Sequence, residues 1–284
     1  EHKKEIRKAY RKIKKLIETE YYIKKAKSLK LKENPYIDRE LLEELEAIKI
    51  HFEKKFLRLD KETKKDLYKN FLIDFAYNTT SLEGNTITLD QTDKLIRENL
   101  TPKNKDLREI YDLKNTEKVF FKLLESDEEI SHKTLISIHD ELMENIDKRK
   151  GYRTRDTRVL RSRFDASPPE YIRIDLDILM KWHERNRKKT HPFVLAALFH
   201  QKFERIHPFA DGNGRAGRIL MNRMLMREGY PPTIIRKSRR GEYLDSMAVA
   251  NKKDLKEENP RYFRRLIKFL AEEIISSYWN NFLI

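Results

Sequence analysis

The 284-residue chain has no cysteine, only seven glycines and only two glutamines, Gln91 and Gln201. Without cysteine there is no disulfide framework and no thiolate to serve as nucleophile or metal ligand. That suits a reducing compartment, and a cytoplasmic location is the expectation. No apolar run approaches the roughly 20 residues of a bilayer span, and no signal-peptide pattern opens the chain, so no membrane partner is expected. The first residue is Glu1 rather than Met, from which a longer natural chain is expected. Few glutamines beside abundant Lys and Glu is the composition of heat-adapted proteins.

What the chain has in excess is positive charge. Lys and Arg number 62 against 47 acids, a net charge of +15, and 38% of residues are charged. Such a balance favours anionic partners: a nucleotide, a nucleic acid or an acidic protein face. The basic residues are spread along most helices rather than focused, and no DNA-binding motif is present. A solvated, heat-adapted surface is therefore the preferred reading, and nucleic acid is not an expected partner.

The apolar spacing is mostly helical, with the prolines between periodic stretches. Residues 4–30 place Ile6, Tyr10, Ile13 and Ile17 at helical intervals with lysines opposite. The favoured reading packs that stripe on the body; the sharper one makes it an arm for a partner subunit or an anionic surface. Helices are predicted over 38–56, 61–82, 104–125 and 132–146, the last capped by Ser131. Gly151 to Pro169 loses the helical period and reads as two extended segments of a small hairpin flap. Asp175 is expected to cap a helix to about 188, and Pro192 to open an apolar core helix, PFVLAALFHQKFERI. Further helices are expected over 214–228, ending at Gly229, and over 240–250 and 260–280.

Between two of these helices lies HPFADGNGR, His207 to Arg215, with Arg218 close behind. Gly212 and Gly214 let the backbone approach a ligand, and successive free N–H groups there make an anion nest. The loop enters a helix N-terminus, where unpaired donors favour phosphate. Arg215 and Arg218, on the first turns, can clamp phosphate oxygens in fork geometry. Asp211 is a hard oxygen ligand suited to Mg²⁺ shared with phosphate. Asn213 can shape the loop or touch phosphate. His207, with an ordinary pKa of about 6.5, suits a general base. A tight turn alone does not need this whole set. The residues point to phosphoryl or nucleotidyl transfer.

The stretch HPFADGNGRAGR resembles the signature of the Fic (filamentation induced by cAMP) family, HPFxDGNGRxxR, at every fixed position. HPFVLAALFHQKFERIHPF and ILMNRMLMREGYPPTIIRKSRRGEYLDSMAVAN are similar to the surrounding helices of the animal endoplasmic-reticulum Fic AMPylases. With YNTTSLEGNTITL and GYRT, the resemblance covers about residues 70–270. It implies an all-α Fic fold with a small β-hairpin flap. The expected organisation is an N-terminal helical segment (1–60), which lies outside the resemblance, an inhibitory helix region (61–100) and a Fic core with C-terminal helices (101–284). The implied reaction moves AMP from ATP to a Ser, Thr or Tyr hydroxyl of a protein, with Mg²⁺ and release of pyrophosphate; the protein itself is a plausible acceptor. His207 would be the base and Asp211 the Mg²⁺ ligand. Gly212, Asn213, Gly214 and Arg215 would bind phosphates, and Arg218 the γ-phosphate. Tyr243 and Asn251 match positions near adenine and ribose. The flap, about Thr157 to Phe164 with Val159 and Leu160, would align the target main chain.

TTSLEGN, Thr79 to Asn85, is by itself a helix end with Gly84 at C′. It also resembles the inhibitory motif of the class whose inhibitory helix precedes the core. That class implies pairing of Glu83 with Arg218, autoinhibition, and a homodimer. Removal of AMP at the same site, or transfer of another nucleotide, is the alternative. A metal hydrolase built on His200, Glu204, His207 and Asp211 is less favoured, because Pro208 breaks their shared helix face. His139, His183, His191 and Trp182 read as structural.

Overall fold

The computed structural model describes residues 2–126, 128–156 and 166–283. Among the described residues the regular structure is helical: α1 (His2–Lys27), α2 (Arg39–Lys54), α3 (Lys61–Leu82), α4 (Leu89–Glu98), α5 (Leu107–Glu125), α6 (His132–Leu142), α7 (Ile172–Asn186), α8 (Pro192–Ile206), α9 (Asn213–Arg227), α10 (Arg240–Asn251) and α11 (Arg264–Asn281). None of these helices is long and apolar enough to cross a membrane.

The starts of several helices are set by side-chain caps. Asp60 accepts the Thr63 N–H at α3, Ser131 the Thr134 N–H at α6, and Thr88 forms a capping box with Gln91 at α4. Each such cap is worth about 1 kcal/mol. Pro192 stands at the first position of α8, where its missing N–H leaves no bond unmade.

The core is organised around α8 and α9. From Phe193 to Phe203, α8 is buried all round, and it packs against α7, α9, α10 and α11. Each of its buried Phe and Leu side chains stabilises the fold by about 1.5–3 kcal/mol. α9 crosses α8 closely because Gly217 has no side chain. A Cβ there would stand 2.5 Å from Glu204 Oε1 and 3.0 Å from His200 Nδ1. α9 is also buried, yet it carries Arg215, Arg218 and Arg223. α3, α5 and α6 also pack on α9, and Asp112 of α5 and Glu83 at the end of α3 supply counter-charges.

Several boundaries differ from the spacing-based expectation. α4 was not expected; only Thr92, Leu95 and Ile96 face inward, too few to print a periodic stripe. α6 ends at Leu142 rather than near 146, and α11 begins at Arg264 after a short 3₁₀ turn at Pro260–Tyr262. α7 begins at Ile172, so Asp175 is not its cap but a first-turn residue that accepts a hydrogen bond from Ser167 Oγ at 2.5 Å. The expected flap, with Val159 and Leu160, lies outside the described residues. Its described flanks, 151–156 and 166–168, contain no strand.

The largest correction concerns α1. Ile6, Tyr10, Ile13 and Ile17 do not pack on the body; they are 57–67% exposed. The helix is held by the opposite face of its C-terminal half. Tyr22 and Ala26 pack on Ala47 of α2, and Tyr22 meets His51 edge-on at 4.8 Å.

Candidate active site

The site is the loop between α8 and α9. α8 stops at His207, which adopts φ 51° and ψ 59°, a left-handed conformation rare outside glycine and asparagine. Its carbonyl accepts from Arg153 Nε at 2.8 Å, and the Pro208 carbonyl accepts from Arg153 N at 3.0 Å. Arg153 also donates to the carbonyls of Arg155 and Ser167, so it ties both ends of the flap segment to the loop.

Asn213 shapes the loop rather than facing a ligand. Its Oδ1 accepts the Phe209 N–H and its Nδ2 donates to the Phe209 carbonyl, both at 2.9 Å. The Phe209 ring stacks on His139 with centroids 3.8 Å apart, and His139 Nε2 reaches the Asp211 carbonyl at 3.0 Å. His139, read from sequence as structural with no further role, is a brace of the loop.

Gly212 then caps α9 with φ 76°, so the first N–H groups of α9 follow directly on Asp211. Acid–arginine pairs surround this helix start. Arg215, buried, donates to Asp112 of α5. Arg108, also on α5 and exposed, pairs with Asp211 Oδ2. Arg218, buried, donates to Glu83 Oε1 at 2.7 Å, to Thr79 Oγ1 at 2.7 Å and to the Thr79 carbonyl at 3.0 Å. Thr79 and Glu83 lie at the C-terminal end of α3, where Gly84 (φ 107°) turns the chain away. The expected Glu83–Arg218 contact is therefore present. Glu83 also stands over the first turn of α9: a Cβ on Gly214 would lie 2.1 Å from Glu83 Oε1.

Electrostatics sharpen the picture. Burial raises the Glu83 carboxyl, but the Arg218 charge and hydrogen bond outweigh it and hold the group below the usual carboxylate range. Burial also pushes Glu204 up to about 8 and His200 down to about 3, so both are neutral at pH 7. Of the two glutamates near Arg218, Glu83 alone is then charged at neutral pH. Burial raises Asp211 too, and is overcome by Arg215, Arg108 and the Gly212 N–H. Asp211 thus presents a carboxylate beside a helix N-terminus, which fits a Mg²⁺ held by one protein oxygen together with phosphate and water.

Burial pulls the His207 imidazole down to about 4. Its Nδ1 is buried, and a hydrogen bond between the ring and the Glu204 backbone works against that lowering without cancelling it. A neutral ring keeps one nitrogen free of a proton, which is the form a proton acceptor needs. In a proton NMR titration, the imidazole resonance that disappears in His207→Asn is expected to titrate near pH 4. A midpoint near 6.5 would show the ring to be solvated.

Tyr243 and Asn251 are buried against α8. The Tyr243 hydroxyl bonds His200 Nε2 at 2.8 Å, and Asn251 Oδ1 accepts from Gln201 Nε2 at 2.9 Å. The structure joins His207, Asp211, Gly212, Asn213, Gly214, Arg215, Arg218 and Glu83 around one helix start. Arg108, Asp112, His139 and Arg153 were not identified from sequence. Only contacts across the fold mark them; the presence of GYRT in the quoted similarity was the one available signal for Arg153.

Residues 129–225 match the Fic/DOC family. The chain is 32% identical over 210 residues to the protein adenylyltransferase fic-1 of Caenorhabditis elegans, covering 72% of this chain and 40% of that protein. It is also 32% identical over 247 residues to the protein adenylyltransferase Fic of Culex quinquefasciatus, covering 80% of this chain and 48% of the relative. The chain thus spans less than half the length of these curated relatives. Among solved structures, a Fic domain-containing signalling protein from Bacteroides thetaiotaomicron is similar with a TM-score of 0.75 at 25% identity, over 83% of this chain and 95% of that one.

Proposed function

The chain belongs to the Fic/DOC family through residues 129–225, and on that premise we propose that it transfers AMP from ATP to a protein hydroxyl, under restraint by Glu83. The acceptor oxygen forms a bond to the α-phosphorus as the bond to the β-phosphate oxygen breaks, and pyrophosphate leaves. The observation that carries this reading is a neutral imidazole at His207 on the loop that runs into the N-terminus of α9, close to Asp211 and to the Arg218–Glu83 pair.

His207 takes the hydroxyl proton as the oxygen attacks. The N–H of Gly214, that of Gly212 once it leaves Asp211 Oδ1, and the positive end of α9 receive phosphate oxygens. Arg218 turns from Glu83 to the γ-phosphate. Arg215 holds its charge near the phosphates while its pair with Asp112 keeps it in place. Asn213 acts by fixing the loop. Tyr243 and Asn251 wall the adenosine site; the Tyr243 hydroxyl and Asn251 Oδ1 are already engaged, which leaves Asn251 Nδ2 as their donor. Asp211 would hold Mg²⁺, which when bound neutralises developing charge on the phosphates. The flap with Val159 and Leu160 is the proposed seat of the target main chain.

α- and γ-labelled ATP distinguish the reactions. Retention of label on protein from α-labelled ATP alone is expected. Retention from γ-labelled ATP would mean phosphate transfer instead. Loss of AMP from a pre-adenylylated target, with no retention from either label, would favour the hydrolytic reading.

The Arg108–Asp211 pair gives a separate prediction. Mg²⁺ must compete with Arg108 for the carboxylate, and an exposed pair of this kind is worth about 0.2–1 kcal/mol. Arg108→Ala, measured in a Glu83→Gly background, is expected to lower half-saturating Mg²⁺ by about 1.5- to 5-fold. A higher Mg²⁺ requirement would show that Arg108 assists the metal site.

A further inference from the structure

The outer face of α1 is unexplained by the fold or by transfer chemistry. Ile6, Tyr10, Ile13, Leu16 and Ile17 recur at helical spacing, and all are more than half exposed. Tyr21 extends the same face at 51% exposure. On the opposite side, Tyr22 and Ala26 anchor the helix to α2, and Lys15 Nζ donates to Asn280 Oδ1 of α11 at 3.3 Å. The anchoring leaves the apolar stripe turned to solvent. An ordinary surface helix does the reverse. Scattered exposed apolar residues need no account, but a contiguous line of them marks an interaction surface.

The charge of the same helix selects the occupant. α1 carries eleven Lys and Arg against three Glu, and one of those, Glu20, is paired with Lys24 at 3.1 Å. A second copy packed stripe to stripe would bring two such helices within a Debye length of about 8 Å, with like charges opposed. An anionic surface would instead neutralise them. A helix with a narrow apolar face, aromatic rings along it and lysines on the remainder is the form that lies flat in a lipid interface. None of the described helices is long and apolar enough to cross a bilayer, and lying in the interface requires no such helix.

We propose that α1 docks the protein on an anionic lipid surface. Ile6, Ile13, Leu16 and Ile17 enter the boundary between headgroups and acyl chains, Tyr10 sits at headgroup level, and the basic side chains meet lipid phosphates. The proposal stands independently of the transferase reading, since α1 contributes nothing to the α8–α9 loop.

The test is co-sedimentation of the full chain with vesicles of equal parts phosphatidylcholine and phosphatidylglycerol, against vesicles of phosphatidylcholine alone, near physiological salt. Ile13→Asp with Ile17→Asp changes exposed positions only, and its thermal midpoint is expected to match the parent. The parent is expected to bind the anionic vesicles at least about tenfold better than the neutral ones, and the double variant to fall to the neutral level. Equal binding by parent and variant would overturn the proposal, since the apolar face would then contribute nothing beyond charge. A concentration-dependent dimer that the variant disperses, without vesicle binding, would overturn it in favour of a second copy. RNA binding without vesicle binding would assign the charge to nucleic acid.

Discussion

Glu83→Gly is expected to raise AMP transfer from α-labelled ATP by about 10- to 100-fold, the range typical of a coupling between two sites. The argument rests on competition for one guanidinium. Arg218 is buried, and its charged partner at neutral pH is Glu83, because Glu204 beneath it is protonated. ATP must therefore replace a carboxylate already in place, and its apparent affinity for the productive pose falls by the fraction of molecules in which Glu83 is away. Glu83 also fills the space over Gly214, where a phosphate oxygen would approach the helix start. Removing it frees both the charge and the space. A second readout separates this from a general loosening. Without ATP the variant leaves a buried guanidinium unpaired and is expected to melt lower than the parent. Mg-ATP should then raise its midpoint by more than it raises the parent's. An unchanged transfer rate in a folded variant would remove Glu83 from regulation.

The sequence made the candidate loop legible because its chemistry is local. His207, Asp211, Gly212, Asn213, Gly214, Arg215 and Arg218 fall within twelve residues, and a loop entering a helix N-terminus fixes their relation without any knowledge of the fold. Helices with a strong stripe or a cap were legible for the same reason, α3 and α8 among them. What surrounds the loop was not. Arg108, Asp112, His139 and Arg153 act from 54 to 103 residues away. Nothing in their own neighbourhoods tells a bracing histidine from a core one. α4 was missed although its capping box, Thr88 with Gln91, was there to be read; the short helix has too few inward apolar residues to confirm it. α1 misled in the opposite direction. Its apolar period is clear, but period gives the existence of a face and not what covers it.

His207→Ala and His207→Asn, each made in the Glu83→Gly background, are expected to lower transfer by about 10²- to 10⁴-fold, the usual worth of a general base. ATP affinity is expected to stay unchanged, because no phosphate-binding group is altered. Two variants are needed because His207 sets the left-handed turn after α8 as well as being the proposed base. At φ 51° an alanine carries about 1–2 kcal/mol of backbone strain, whereas asparagine visits this conformation readily. The strain would act on the loop itself, through the carbonyls that Arg153 holds and the Gly212–Gly214 nest that follows. If alanine alone abolished transfer and also weakened ATP binding, the residue would act through loop shape. Loss of transfer in both variants, with calorimetric ATP binding intact in the asparagine variant, assigns the proton transfer to the ring. The buried, neutral imidazole adds a further consequence: transfer by the parent should show no low-pH limb near 6.5, because His207 is already deprotonated far below it.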